Sequence, residues 1–510
     1  MVIRIEGSPF TAEFDVLVRQ QLDKWKVPGL SIAVVHGSST YSKAYGIAEF
    51  PNKPMTTSSL FSTCSTTKAF TAAAMSMVID ESKNMSNPIQ WDTPIHSLIP
   101  DDFALADDAA TSNTTIEDAL SHRSGLAGND SLMSREHCNT SIRETVRKLR
   151  YLPFTLAPRT TFSYNNNMYI VVSHVLEQLT GQDLGTLLRQ RIWDPLGMKD
   201  VYFDIQELCH SPTGKRLLAR GYTWDEDTES YIPEPYMDYK PTTGAGAMVS
   251  NVLEYTKWLR AMIYKTGPMS PQGHAALVEP RTIITDTSDS VVPPAPYHAY
   301  GLGWFTHSWR GEPLYWHSGS WPGFGIMVGF LPGKQFGFVM MGNTIDARKA
   351  ELELYSYLLD KLVGYPWKNP AQSAMSHRVS SPKPQSEPLE KAMQRLFPAL
   401  PSPVIPHALP LESYAGRYNH PGSTLISFEI KNGRLLADFR DRVGMALLEL
   451  HHASGEFFLG HWFSAPGLGA AQSAYVQVHF RVDYTGSVQA VGLDLQEGSS
   501  AGRLWYQREV

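Results

Sequence analysis

Apolar positions recur at helical spacing across residues 12–26 (AEFDVLVRQQLDKWK), which predicts an amphipathic helix. The pattern then changes. PGLSIAVVHGSSTYSKAYGIAE, residues 28–49, has two apolar-rich runs broken at His36-Gly37 and reads as two strands joined by a turn. LFSTCSTTKAFTAAAMSMVID, residues 60–80, sets five Ser and Thr residues and a cysteine ahead of one lysine and an apolar helix. From about residue 85 to 200 the pattern is mostly helical, with capping sequences such as TTIEDAL and TSIRETV. SNVLEYTKWLRAMIYK, residues 250–265, predicts a further amphipathic helix.

Between residues 300 and 343 strands return: YGLGWFTHSW, EPLYWHSGS, GFGIMVGFLP and QFGFVMMGN, the last two separated by a PGK turn. The helix ARKAELELYSYLLDKLV closes that region near residue 363. Strands at both ends of a helical middle imply one antiparallel sheet completed by distant segments, with an inserted helical lobe. The fold class is therefore α+β over residues 1–365. Residues 366–411 are rich in Pro and Ser without sustained periodicity and read as a linker. Alternation resumes in residues 412–510, with turns at Pro-Gly and Asn-Gly, and predicts a small all-β, barrel-like domain. No internal repeat is evident.

Composition adds mainly exclusions. The 510 residues are 42% hydrophobic and 18% charged, as in an ordinary globular protein with a large core. Net charge is −6 and no dense Lys/Arg run occurs, which argues against nucleic acid as a partner. MVIRIEGSPF lacks the apolar segment of a secretory signal, and no run reaches a membrane span. A cytosolic location without a membrane partner is expected. Cys64, Cys138 and Cys209 have no metal-type spacing and are expected to be free thiols. With no metal cluster or phosphate-cradling loop, no cofactor is expected.

The polar cluster before the helix admits two readings. Ser62, Thr63 or Ser65 caps the helix; or Ser65 is a nucleophile and Lys68, three residues on along one helical face, takes its proton. A second Ser-x-x-Lys, Ser380–Lys383, lies between Pro382 and Pro384 in the linker, where no helical face is expected. Two later motifs bear on the choice: Tyr164-Asn165-Asn166 before an amphipathic helix, and His317-Ser318-Gly319 on a predicted strand.

In this order the three motifs resemble those of the serine β-lactamase and penicillin-binding-protein superfamily, in its class C-like branch of esterases and acyltransferases. SHRSGL (121–126), LAPRTTFSYNN (156–166), LTGQDLGTLLRQRIWDPLGM (179–198), GAGAMVSNVLEYTKWL (244–259) and YGLGW (300–304) are similar to its connecting landmarks, so the resemblance spans about residues 12–365. It implies that Ser65 is the nucleophile and Lys68 its base partner, and that Tyr164 exchanges protons with nucleophile and leaving group. By the same resemblance Asn166 holds the substrate or orients Lys68, and His317 stands where many members carry lysine. Gly319 and Ser320 belong to the substrate-binding strand, and the backbone amides of Ser65 and Ser320 form the oxyanion hole. The all-β segment resembles the lipocalin-like domains appended to many members; it either covers the cleft or stabilises the chain as an appendage.

Two decoys are set aside. Lys265-Thr266-Gly267 matches the third motif literally but ends a predicted helix rather than lying on a strand. GSSAG at 498–502 lacks the following helix and downstream histidine that a nucleophile elbow requires. Cys64 is expected to be a small packed side chain. The expected activity is that of a serine esterase or acyltransferase working through an acyl-Ser65 intermediate on a small, largely apolar ester or thioester, with water or an alcohol as acceptor. An amide-directed hydrolase of the β-lactamase, D-aminopeptidase or DD-peptidase kind shares every motif, and a non-catalytic scaffold shares the fold.

Overall fold

The computed structural model describes residues 7–128, 141–236, 238, 240–285, 297–367, 387–423, 425–442, 446–463, 473–494 and 503–509. Ser380–Lys383, Cys138 and the GSSAG stretch lie outside the described residues.

The first domain is built on a nine-stranded sheet. In chain order its strands are β1 (Gly29–His36), β2 (Ser39–Glu49), β3 (Lys53–Pro54), β4 (Thr282–Ile284), β5 (His298–Tyr300), β6 (Phe305–Trp309), β7 (Glu312–Trp321), β8 (Phe324–Leu331) and β9 (Phe336–Gly342). They lie in the order β3-β2-β1-β9-β8-β7-β6-β5-β4, and β1 pairs antiparallel with β9 from Leu30↔Gly342 to His36↔Phe336. The expected sheet, completed by distant segments, is thus the one observed.

Both faces of the sheet are covered, and strand alternation explains why. Ala33 and Val35 of β1, with Val339 and Met341 of β9, point into a core shared with α2 (Lys68–Ser82) and α4 (Val252–Tyr264). Ile32, Val34, Phe338 and Met340 point to the opposite side, against α1 (Ala12–Lys24) and α5 (Ala347–Leu362). A central strand buried on both faces is apolar along most of its length, as in GLSIAVVH, whose buried Ser31 donates its hydroxyl to the Thr56 carbonyl. Thr11 caps α1 by accepting from the Phe14 amide, and Asn165 caps α3 (Asn166–Thr180) by accepting from the Met168 amide.

The second domain is a closed eight-stranded barrel, β10 (Gly416–Asn419), β11 (Ile426–Lys431), β12 (Arg434–Phe439), β13 (Ala446–Ser454), β14 (Phe457–Phe463), β15 (Ser473–Val482), β16 (Val488–Asp494) and β17 (Arg503–Arg508), with β10 pairing back to β17. The expected Asn-Gly turn is present at Asn432-Gly433, where both residues have positive φ (51° and 72°), as a two-residue hairpin of this twist demands. A barrel of this size is just wide enough for side chains to fill. Phe480 does so, with ring centroids of Tyr414, Tyr418, Phe428 and Phe458 between 5.1 and 6.0 Å from its own.

The stretch expected to be a linker contains structure. Residues 389–396 form α6, whose apolar side packs on the outside of the barrel against Leu459 and Tyr475. The turn before β11 meets the helical lobe: a Cβ at Gly422 would come within 2.7 Å of Tyr151 Cβ. Among the described residues no helix is long and apolar enough to cross a membrane.

Candidate active site

The polar cluster ahead of α2 does not cap it. Neither Thr63 nor Thr67 makes a side-chain cap hydrogen bond. The chain pairs Phe61–Ser62 with Val249–Ser250, turns through a short 3-10 segment (Cys64–Thr67) and enters α2 at Lys68. The hydroxyls stitch this turn to itself and its neighbours: Thr66 Oγ1 donates to the Thr63 carbonyl (2.7 Å), Thr67 Oγ1 to the Cys64 carbonyl (2.7 Å) and Thr63 Oγ1 to the Met248 carbonyl (3.1 Å). Cys64 adopts φ 52°, a left-handed conformation rare for a residue with a side chain. Its thiol is fully buried, and burial pushes its pKa strongly upward, consistent with a packed side chain. From Phe61 to Ser76, Ser65 alone is not buried.

Lys68 is fully buried beneath it. Its Nζ lies 3.2 Å from Ser65 Oγ, 2.6 Å from Asn166 Oδ1 and 2.7 Å from the Ala245 carbonyl oxygen. Asn166 is brought there as the first residue of α3, and Ala245 by the loop before Val249–Ser250. That loop is tightly held: Thr71 Oγ1 donates to the Gly244 carbonyl, and the Gly244 amide donates to Ser173 Oγ. The Lys68 Nζ also sits over the Tyr164 ring at 4.8 Å from its centroid and over Tyr169 at 5.2 Å. Ser65, Lys68, Tyr164 and Asn166 therefore converge.

The third motif forms the adjoining wall. Gly319, on β7, approaches so closely that a Cβ there would lie 2.7 Å from the Thr63 carbonyl and 2.9 Å from Cys64 Cβ. Ser320 follows, partly exposed, and Trp321 donates its indole N–H to the Gly246 carbonyl at 3.0 Å. His317 sits deeper, 1% exposed. Its Nδ1 contacts the Ser318 carbonyl (2.6 Å), which can only accept, so the proton is on Nδ1 and Nε2 accepts from the Tyr300 hydroxyl (2.9 Å). Burial, then the nearby Lys68 charge, lowers the His317 pKa to about 3, so the imidazole is neutral. Both of its ring nitrogens are engaged within the protein, which places His317 behind the surface that Ser65 and Ser320 present.

Lys265, by contrast, ends α4 with φ 51°, as expected of the decoy motif. Sequence reasoning missed the Ala245 carbonyl, because backbone acceptors carry no residue signature. It also missed His122, in the middle of SHRSGL, whose ring lies 4.2 Å from that of Tyr164. Among the described residues no group of three or more His, Cys, Asp or Glu side chains could hold a metal ion.

An α+β domain with a helical lobe and a Ser-x-x-Lys pair, its lysine buried and its serine not, facing a Gly-bearing strand defines a serine-hydrolase class of site. The sequence profile of the beta-lactamase family matches residues 14–359, and the chain belongs to that family. Residues 400–508 match a domain of unknown function, DUF3471. The chain is 35% identical to the unguisins hydrolase ungD' of Aspergillus campestris, over 99% of this chain and 93% of that protein. It is 32% identical to the unguisins hydrolase ungD of Aspergillus violaceofuscus, over 99% and 91% respectively. Among solved structures it is similar to the octameric penicillin-binding protein homologue from Pyrococcus abyssi, with a TM-score of 0.60 at 18% identity over 97% of this chain and 99% of that one.

Proposed function

We propose that this protein hydrolyses a carboxylic acid derivative through an acyl-Ser65 intermediate, and that compounds of the unguisin type are its substrate class. The observation that carries the reading is the placement of Lys68 Nζ, 3.2 Å from Ser65 Oγ with two further oxygens, Asn166 Oδ1 and Ala245 O, fixing its position. Those two oxygens accept N–H groups of the Lys68 amine and fix its orientation, so that once it has given up its extra proton its lone pair faces the serine hydroxyl. Lys68 then takes the Ser65 proton as Oγ attacks the carbonyl carbon, which gives serine the reactivity its own pKa denies it. The oxyanion is received by the Ser65 and Ser320 amides, and Tyr164 passes the proton to the leaving group. Water then attacks the acyl-enzyme by the reverse path, returning Ser65 and releasing the acid.

The unguisin assignment is supported by identity to hydrolases of that name along nearly the whole chain, including the barrel. The ester reading, with an alcohol as alternative acyl acceptor, is favoured by the neutral His317, which offers no cation to a substrate carboxylate. The test is intact-protein mass spectrometry with product analysis on wild type and Ser65→Ala, using unguisins, p-nitrophenyl butyrate and nitrocefin separately. The expected result is unguisin turnover and a butyryl adduct, both abolished by Ser65→Ala. Turnover that survives in Ser65→Ala overturns the nucleophile, and inert unguisins with rapid ester turnover replace the substrate class with the ester one.

A further inference from the structure

Tyr164 lies between two hydrogen bonds made to a single residue. The amide of Ser163 donates to the His122 carbonyl at 2.8 Å, and the amide of Asn165 donates to His122 Nδ1 at 3.0 Å. Between these two bonds the Tyr164 ring is laid on the imidazole, with centroids 4.2 Å apart. The backbone of His122 makes this possible. Its φ of 59° is in the left-handed region, which turns carbonyl and side chain toward the same passing segment. The flanks are pinned: Asp118 accepts from Arg123 Nε (2.6 Å) and from Arg159 Nε (3.0 Å), and the Arg159 amide donates to the Arg123 carbonyl.

The imidazole itself is fully buried. Because Nδ1 accepts from an amide, its proton resides on Nε2, and that N–H has no hydrogen-bond partner among the described residues. The other rings around it, Tyr169, Tyr300 and Phe162, lie 4.7 to 5.6 Å away. Nothing in this arrangement improves burial; a phenyl ring would satisfy the pocket without leaving an N–H unpaired. What a histidine supplies at this left-handed position, as an asparagine or aspartate also could and a phenyl ring could not, is the acceptor for the Asn165 amide.

We infer that His122 is the positioning residue for Tyr164: by holding the residues on either side of it and supporting its ring, it sets the distance from the phenol to Ser65 and Lys68. The inference rests on the proton-transfer role of Tyr164 given above. His122 touches no reacting atom and acts only through Tyr164.

The experiment is a double-mutant cycle on the full chain, reading the rate of Ser65 acylation by p-nitrophenyl butyrate from the p-nitrophenolate burst and the intact mass. His122→Ala is expected to slow acylation about 10²-fold, the cost of an ångström-scale misplacement, while KM moves by less than about threefold. His122→Asn keeps an acceptor near the Nδ1 position and tolerates the backbone, and is expected to recover at least about tenfold of that loss. In the Tyr164→Phe background, neither His122 substitution is expected to slow acylation further by more than about twofold, because the group it positions is gone. Should the alanine variant fail to fold, His122→Asn in the two backgrounds closes the same cycle. An additive effect in the Tyr164→Phe background, or wild-type rates for His122→Ala, overturns the inference while leaving the acyl-Ser65 reading intact. Wild-type rates for Tyr164→Phe, or a wild type that never acylates, overturn the mechanistic reading first and the role of His122 with it.

Discussion

Gly319 and Cys64 are in contact across the site: the strand that carries the third motif is pressed against the turn that presents Ser65, and a methyl group at Gly319 would lie 2.9 Å from Cys64 Cβ. The two nearest neighbours of that methyl are fixed, one the Thr63 carbonyl and the other the buried Cys64 side chain, so the strand has to move outward. Gly319→Ala is expected to cost about 1–3 kcal/mol of stability through overpacking. It is also expected to lower kcat about 10²-fold or more by shifting the Ser320 amide. Thermal denaturation and ester kinetics on the same preparation check both.

Lys68→Met fills the same buried space without an amine. The Asn166 and Ala245 oxygens lose their donor, and Ser65 loses the amine proposed to take its proton. Acylation of Ser65 by p-nitrophenyl butyrate is expected to fall by about 10²–10⁴-fold, the range of a lost general base. Circular dichroism is expected to show a retained fold, so that the loss reads as chemistry.

Stability should fall on acidification through buried histidines. Burial, reinforced by His298, lowers the His307 pKa to about 3, against 6.5 in the unfolded chain. Between those values the unfolded state binds the proton and the folded state does not, so stability is present above pH 6.5 and is lost as pH falls toward 3. Glu353 has the opposite sign: burial raises it to about 7, so its folded form holds a proton that the unfolded chain releases above 4.5, and stability declines as pH rises from 4.5 to 7. His307→Gln is expected to flatten the acid limb of a midpoint-versus-pH curve, and Glu353→Gln to raise the midpoint more at pH 8 than at pH 4.

The barrel is organised around Phe480, which touches four other aromatic rings. Phe480→Ala is expected to destabilise the barrel by about 3–5 kcal/mol. Calorimetry with and without the substitution measures this, and acylation of Ser65 below the first transition is expected to be unaffected. A parallel loss of acylation would tie the barrel to the catalytic cleft.

Much of this was legible because it rests on spacing. Ser65 and Lys68 are three apart, the β1–β2 hairpin turns just after His36, and Asn432-Gly433 has the residues its dihedral angles demand. What escaped reading depends on groups without side-chain identity or on packing across the chain. The Ala245 carbonyl that receives Lys68 could be any residue's. Cys64 and His122 adopt positive φ without being glycine, held there by neighbours distant in sequence. Residues 389–396 are helical although their surroundings are rich in proline, because Leu459 and Tyr475 of the barrel give that short helix an apolar surface to lie on. The cap reading of the residues before α2 was reasonable for their composition, yet their hydroxyls serve a 3-10 turn instead.

The pairing of β1 with β9 sets an order on how this molecule comes into being. Leu30 finds its partner in Gly342, so the strand next to the amino-terminal hairpin is among the last parts of the catalytic domain to leave the ribosome. Until then β1 has an open edge where β9 will pair, a state prone to mispairing with another chain. The segment that carries Ser65, translated early, cannot be held against Gly319 until β7 exists. A nascent chain cut before residue 319 therefore carries Ser65 and Lys68 without their wall, and one cut before residue 336 still lacks the strand that pairs with β1.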